Sequence, residues 1–336
     1  MSKVVLVTGA GGYIGSVATY LFLQDGFKVI ALDNFSTGFK QPLETLQEKF
    51  GKDKLKIFER DTTSDLSEVF EQEREISTVV HYAGSWSVNE SMQNPKKYFE
   101  NNVGGSLNLL STMLKFGVKN LVFSSTCAVY GNSNDFIISE NHPTNPTNPY
   151  GESKRMTEKI VEWYGKLLGL NYVTLRYFNV CGATHDGLIG DSKKPSVHLM
   201  QNAVRGALTL EPFYLTYSEV GTPDKSPIRD YVNVVDLNEA HLKAVNYLLE
   251  GGSSKIINIG TGSGNSVLEL IKKVEEITGK ILDKNKGESR KGEYSRAVAS
   301  IKKAKEILNW EPKRSLEDSI KSLITWYKNH PNGWEE

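Results

Sequence analysis

The sequence predicts an α/β protein built on a doubly wound parallel sheet, for three reasons. Short β-branched apolar runs alternate with longer helical patterns through the first half of the chain. Those runs are nearly continuously apolar, as strands are when helices cover both faces of a sheet. A glycine-rich turn follows the first run directly, where the chain must bend from strand into helix.

Taken in order, the strands are expected at 3–8 ("KVVLVT"), 28–32, 54–58, 77–81, 120–125 and 172–177. Helical patterns fall between them near 13–25, 41–50, 65–74, 95–116 and 150–168. After about residue 180 the rhythm changes. Residues 182–196, rich in Gly, Asp, Lys and Pro, read as loop, as does "GTPDKSP" at 221–227. Helical patterns follow at 234–250, 266–278, 301–309 and 315–329. Ser266-x-x-Glu269 opens one of these with a capping box, and Ser315-x-x-Asp318 opens another with a related pattern. "KIINIG" at 255–260 is a late strand suited to return to the main sheet. The expected organisation is a dinucleotide-binding domain over 1–180, which that strand rejoins, and a smaller α/β substrate lobe over 181–336 lying over the sheet's C-terminal edge.

Bulk composition narrows the function. The 336 residues hold 40 Lys and Arg against 40 Asp and Glu, a net charge of zero. Nothing in that balance grips nucleic acid or an anionic membrane, although one or two local arginines suffice for a small phosphate ligand. Cys127 and Cys181 form no C-x-x-C motif, and the six histidines show no metal-ligand spacing, so no metal is expected. "VVLV" near the N-terminus is too short for a signal or membrane segment, and a cytoplasmic protein is expected.

Two chemical sites stand out. In "VTGAGGYIG", Gly9, Gly12 and Gly15 allow a sharp strand-to-helix turn and let backbone N–H groups approach a pyrophosphate. Asp33 ends the second strand, about 20 residues on, where a carboxylate accepts from ribose hydroxyls and repels a 2′-phosphate. NAD is therefore expected over NADP. Asp61, ending the third strand, reads either as an adenine contact or as a helix N-cap. Ala83 and Gly84 in "HYAG" are small, as a backbone passing close to a cofactor requires, or simply form a strand-end turn.

The second site is "NPYGESK". Tyr150 and Lys154, four apart, share a helix face. A tyrosine titrates near ~10, and a nearby ammonium lowers that value, making the phenol a usable base for a hydroxyl. Thr126, in "FSSTCAVYG", ends the fifth strand and is placed to hydrogen-bond the reacting oxygen; otherwise it makes a strand-end turn. Arg229 suits a diphosphate, as does Arg290, because guanidinium pairs bidentately with phosphate oxygens; the competing reading of both is a surface salt bridge, for instance Arg229 with Asp230.

"TGAGGYIG", "LDNFSTG", "HYAG", "NNVGGSLNLL", "FSSTCAVYG", "NPYGESK", "LRYFNVCGA", "IRDYVNVVDLNEAH", "RKGE" and "NHPNGW" together resemble the extended short-chain dehydrogenase/reductases. Within them the chain is most similar to the 4-epimerases that interconvert UDP-glucose and UDP-galactose, over essentially its full length. The resemblance implies a Rossmann domain with bound NAD, a UDP-sugar substrate and a homodimer pairing the helices near 95–116 and 150–168. Tyr150 would take the 4-hydroxyl proton as hydride leaves C4, and the 4-keto sugar would turn before hydride returns; Lys154 would tune Tyr150 and Thr126 assist.

The resemblance further implies cofactor contacts from Tyr13, Ile14, Asn34, Ser36, Thr37, Gly38, Thr62, Tyr82, Asn102, Ser124 and Phe178. It implies sugar-nucleotide contacts from Asn179, His198, Leu199, Tyr217, Arg229, Arg290, Glu293 and Ala297. Five positions depart from the pattern. Trp86 stands where relatives usually carry a lysine, Asn233 replaces a histidine, Glu293 an aspartate and Ser300 an aspartate. Ala297 replaces a bulky tyrosine found in relatives restricted to plain hexoses, so the pocket is expected to admit 2-N-acetyl sugars. A 4,6-dehydratase would need an Asp-Glu pair after the threonine, where Cys127 and Ala128 stand. A decarboxylase would need a uronic-acid site. A non-catalytic NAD sensor is the remaining alternative, and such proteins tend to lose the Tyr or the Lys that this chain keeps.

Overall fold

The computed structural model describes residues 3–133, 135–194, 196–283, 285–286 and 295–334. Seven parallel strands form the central sheet: β1 (Val4–Thr8), β2 (Lys28–Asp33), β3 (Leu55–Glu59), β4 (Thr78–His81), β5 (Asn120–Thr126), β6 (Asn171–Tyr177) and β7 (Lys255–Ile259). Their spatial order is β7-β6-β5-β4-β1-β2-β3, with every adjacent pair parallel. The order reverses between β1 and β4, which opens a crevice at the carboxyl ends of those strands.

The near-continuous apolar character of the strands follows from burial on both faces. In β1, Val5 and Val7 enter one core cluster while Val4 and Leu6 enter another, as the period-2 alternation of a strand requires. The first cluster joins Val17 and Ala18 of the helix Tyr13–Gln24 to Leu237, Ala240, Ala244 and Val245 of the helix Val234–Leu249. The second joins Leu109, Leu110 and Met113 of the helix Gly105–Lys115 to Val161 of the helix Pro149–Leu168.

After residue 180 the chain contributes to two places. The helix Val234–Leu249 and β7 lie on the main sheet, β7 pairing with β6 from Lys255 opposite Val173 to Ile259 opposite Tyr177. The helices Leu199–Ala207, Val267–Thr278 and Leu316–Asn329 bury Met200, Val204, Leu270, Val274, Leu323 and Trp326 in a separate core. Both capping boxes form: Ser266 with Glu269, and Ser315 with Asp318. Asn233 caps the helix Val234–Leu249 through its side chain, and its amide also reaches Ser319 Oγ at 2.9 Å, tying that helix to the second core.

Several elements differ from the sequence expectation. The helix expected over 95–116 is a short helix Pro95–Tyr98, a π turn Phe99–Gly104 and a helix Gly105–Lys115. A helix Val88–Gln93 precedes it, and its Ser87-x-x-Glu90 cap was legible: Ser87 Oγ accepts from Glu90 N at 3.2 Å. The helix Leu199–Ala207 carries its buried stripe at 200, 203, 204 and 207, a spacing also present in the sequence. The four two-to-four-residue strands of a second sheet (Ile137–Ile138, Ile228–Arg229, Asn265–Ser266 and Arg296–Ala299) carry no periodic signal at that length.

Candidate active site

A cleft of about 1070 Å³ lies over the carboxyl ends of β1, β2, β4, β5 and β6. Among the described residues no group of three His, Cys, Asp or Glu side chains is placed to hold a metal ion, and no helix is long and apolar enough to cross a membrane.

The glycine cradle is built by close approach. Gly9 has φ +69°, and a Cβ on it would meet Ala83 N at 2.6 Å. A Cβ on Gly15 would lie 2.1 Å from Gly9 O, and one on Gly38 would lie 2.7 Å from the Gly11 backbone. Gly12 is the N-cap of the helix Tyr13–Gln24 and brings no capping side chain. The leading N–H groups of that helix are therefore left for a ligand oxygen, the arrangement that suits a dinucleotide's pyrophosphate. Ile14, Thr37 and Thr62 complete this end of the lining.

Asp33 is buried at the end of β2. Its Oδ2 accepts from Gly11 N at 2.8 Å and its Oδ1 from Phe35 N at 2.7 Å, so it also fixes the cradle loop. Burial pushes its carboxyl up, against the pull of these backbone donors. Asn34 joins Asp61 (Nδ2 to Oδ2, 2.6 Å), and Ser36 N donates to Asn34 Oδ1 at 3.0 Å. Asp61 is not a helix N-cap: its Oδ1 accepts from Thr63 N at 2.8 Å in a turn, and the next helix, Ser67–Gln72, is capped at Leu66. The carboxylate lines the cleft.

Beyond β4, Tyr82, Ala83 and Gly84 line the floor, and Tyr82 is held by Asn238 Oδ1 at 2.7 Å. Asn102 sits in the π turn and does not line the cleft. Its amide nitrogen donates to Ser85 O and Ser153 Oγ, both at 2.9 Å, and its oxygen accepts from Ser85 N at 2.7 Å. It thus ties the loop after β4 to the helix that carries Tyr150. Ser124 is likewise behind the lining, where its carbonyl accepts from Lys154 Nζ at 3.0 Å and its hydroxyl pairs with His241 Nε2 at 3.1 Å.

Local packing delivers the tyrosine. Asn148 caps its helix through Gly151 N at 2.8 Å, and Pro149 opens the first turn. A Cβ on Gly151 would meet Ala128 O at 2.7 Å, so the helix start lies directly on the 3-10 turn Cys127–Tyr130 that follows β5. Thr126 caps that turn, accepting from Ala128 N at 3.1 Å, and its side chain stands beside Tyr150. The expectation that Lys154 depresses Tyr150 differs from what the protein's own groups do. Burial pushes the phenol well up, Tyr177 adds to the rise, and the polar side chain of Thr126 opposes it. Burial also pulls the Lys154 ammonium down to about 8, partly countered by Glu158.

At the far wall, Phe178, Asn179, His198 and Arg229 all line the cleft. The Asp230 carboxylate, the example of a surface partner for Arg229, holds Thr261 N (2.7 Å), Gly262 N (3.1 Å) and Ala299 N (3.1 Å). Leu199 and Tyr217 pack against the second core, and Ala297 is buried with Val129, Tyr130, Ile138 and Phe178, one layer behind the wall. Arg290 and Glu293 lie outside the described residues. Sequence reasoning missed Tyr177, Lys193 and the edge-on ring of Tyr98, 6.4 Å from that of Tyr150. Tyr177 sits at the end of a strand whose neighbour Phe178 was identified, whereas Lys193 stood in a loop with no local signal.

The family model for the NAD dependent epimerase/dehydratase family matches residues 5–260. The chain is 40% identical over 332 residues to the UDP-glucose 4-epimerase of Lacticaseibacillus casei, covering 98% of each. It superposes with a TM-score of 0.92 on the UDP-glucose 4-epimerase of Bifidobacterium longum in complex with NAD+ and UDP, at 33% identity over 98% of this chain and 100% of that one. The UDP-Glc/GlcNAc 4-epimerase of Campylobacter jejuni gives a TM-score of 0.83 at 35% identity, covering 98% and 100%. With the match spanning most of the sheet and the relatives aligning end to end, the chain belongs to the NAD-dependent epimerase/dehydratase family.

Proposed function

We propose that the protein epimerises UDP-hexoses at C4, interconverting UDP-galactose and UDP-glucose. The observation that carries this reading is the placement of Thr126, Tyr150 and Lys154 in the same cleft as the glycine cradle and Arg229. Gly9, Gly12 and Gly15 with Asp33 would hold NAD, which when bound supplies the hydride acceptor and donor for C4. Tyr150 takes the 4-hydroxyl proton and returns it from the same position, which suits a reaction that leaves no net change in protonation. Thr126 donates to and accepts from the same oxygen, and Lys154 holds positive charge beside the phenolate as it forms. Arg229 and His198, on the later part of the chain, would hold the UDP moiety. On this reading residues 1–180 with β7 form the cofactor unit and 181–336 supply most of the sugar-nucleotide side.

A coupled assay on UDP-galactose tests the activity. Tyr150→Phe is expected to lower kcat by at least about a thousandfold while bound NAD is kept; retained turnover would sink the assignment of the base. The reading extends to 2-N-acetyl sugars, since Ala297 adds only a methyl behind Phe178 and the Campylobacter jejuni neighbour is named for both sugar types. UDP-N-acetylgalactosamine offered in the same assay decides it, and absent turnover removes the extension. The homodimer reading finds support in Leu107, Met156, Trp163, Leu167 and Leu168, all exposed on the helices Gly105–Lys115 and Pro149–Leu168. Sedimentation as a monomer at micromolar concentration would refute it. The two free cysteines suit the cytoplasm as its setting.

A further inference from the structure

The loop between Gly190 and His198 carries a lysine into the cleft from the second half of the chain. Its backbone is anchored at three points. Trp326 Nε1 donates to Asp191 O at 3.1 Å, Lys193 N donates to Asp191 Oδ1 at 3.3 Å, and Ser196 Oγ donates to the same carboxylate. From this base the Lys193 side chain crosses to Trp86, in the loop after β4, and sets its ammonium 3.7 Å from the centre of the indole ring. Trp86 is stacked in turn on His198, with ring centres 6.3 Å apart.

The backbone of Gly190–Lys193 also borders the cradle. It shares a narrow gap with Gly11, Gly12, Tyr13, Thr37 and Gly38. Lys193 therefore stands between the open N-terminus of the helix Tyr13–Gln24 and the wall formed by Trp86. The charged groups around its ammonium are Asp191, Glu90, Asp33 and Lys97. Among the described residues none of these carboxylates closes an ion pair with it; Glu90 is paired with Lys97, and Asp33 is engaged by Gly11 and Phe35. The ammonium is a half-buried cation, pulled down to about 8 by desolvation against the opposing field of Asp191, Glu90 and Asp33, and it rests on an aromatic face with no closed ion pair among the described residues.

A helix N-terminus offers only about half a unit of positive charge, while a diphosphate diester brings two negative charges. We infer that Lys193 is the counter-charge for the diphosphate of the NAD cofactor, held over the glycine cradle by its contact with the Trp86 ring. This inference rests on NAD use by the cradle. It accounts for the departure at position 86: the lysine that the resemblance leads one to expect there is replaced by an aromatic platform, and the cation arrives from the second half of the chain. Cofactor retention thereby depends on the segment that also places His198.

The test uses the full-length chain purified with its nucleotide. The rate at which bound NAD exchanges with labelled NAD is measured for wild type, Lys193→Met and Lys193→Arg, together with the affinity of each holoenzyme for UDP. Met keeps the stem over Trp86 and removes the charge; Arg keeps the charge. Lys193→Met is expected to exchange NAD about tenfold faster or more, Lys193→Arg to stay close to wild type, and UDP affinity to hold within about twofold in both. Unchanged exchange in Lys193→Met, or Lys193→Arg behaving like Lys193→Met, overturns the assignment. So does a loss confined to UDP, which would place the lysine at the substrate's diphosphate, or an equal loss of both ligands, which would mark a loop collapse. Failure of the epimerase reading would show instead as absent turnover of UDP-galactose with NAD exchange still charge-dependent.

Discussion

Tyr150 is raised by the burial that makes it useful. On the proposed reading the phenol meets the sugar hydroxyl away from water, and the same desolvation resists its ionisation. Lys154 is drawn down for the same reason, and the group that opposes this is Glu158, one turn further along the helix. Glu158 is itself fully buried and accepts from Arg176 Nε (2.8 Å) and Nη2 (2.7 Å) and from Ser125 Oγ (2.6 Å). It thus joins the helix bearing the base to β5 and β6. Glu158→Gln leaves the Arg176 guanidinium buried and underpaired, and is expected to cost about 3–5 kcal/mol of stability. Urea denaturation of the two proteins measures it; a loss under about 1 kcal/mol, the range of an exposed pair, would contradict a buried network.

At the scale of elements, the strand-to-helix turn at the cradle is a junction with no room for a side chain. Gly15 lies in the first turn of the helix Tyr13–Gln24, and its missing side chain lets that turn rest on Gly9 O. Gly15→Ala places a methyl carbon against a backbone oxygen that cannot rotate away. The helix must shift, at a cost of about 1–3 kcal/mol, and its N–H groups lose their aim. Both the thermal midpoint and the NAD content of the purified protein are expected to fall; a variant that keeps its full NAD complement would show that the junction tolerates the shift. The π turn Phe99–Gly104 is a second such device. It places Asn102 where both ends of its amide are used, which a regular helix through those residues would not do.

Across the whole molecule, the polar groups that support the cleft also set its response to acid. His81 is buried between Thr8 Oγ1 (2.7 Å) and Ser106 Oγ (2.8 Å), and His241 between Ser124 Oγ (3.1 Å) and Leu237 O (3.0 Å). Burial pulls them down to about 3 and about 4. An unfolded histidine titrates near ~6.5, so as pH falls below that value the unfolded chain takes up protons first and the folded state loses ground. Each histidine is expected to remove about 2 kcal/mol of stability between pH 7 and pH 5. Urea midpoints at the two pH values read this, and a His81→Gln, His241→Gln variant that retains the full loss would refute it. The sequence by itself determined the sheet, the cradle and the Tyr150–Lys154 pair, because each rests on a short-range pattern: a continuous apolar run along a strand, a spacing of four along a helix, of three between glycines. The tertiary structure alone decided that Asn102 braces the loop at Ser85 without lining the cleft, that Asp230 holds the backbone of Thr261, Gly262 and Ala299, and that Lys193 meets Trp86. Those are contacts between residues that the chain separates and only packing brings together, so no local pattern of residues encodes them.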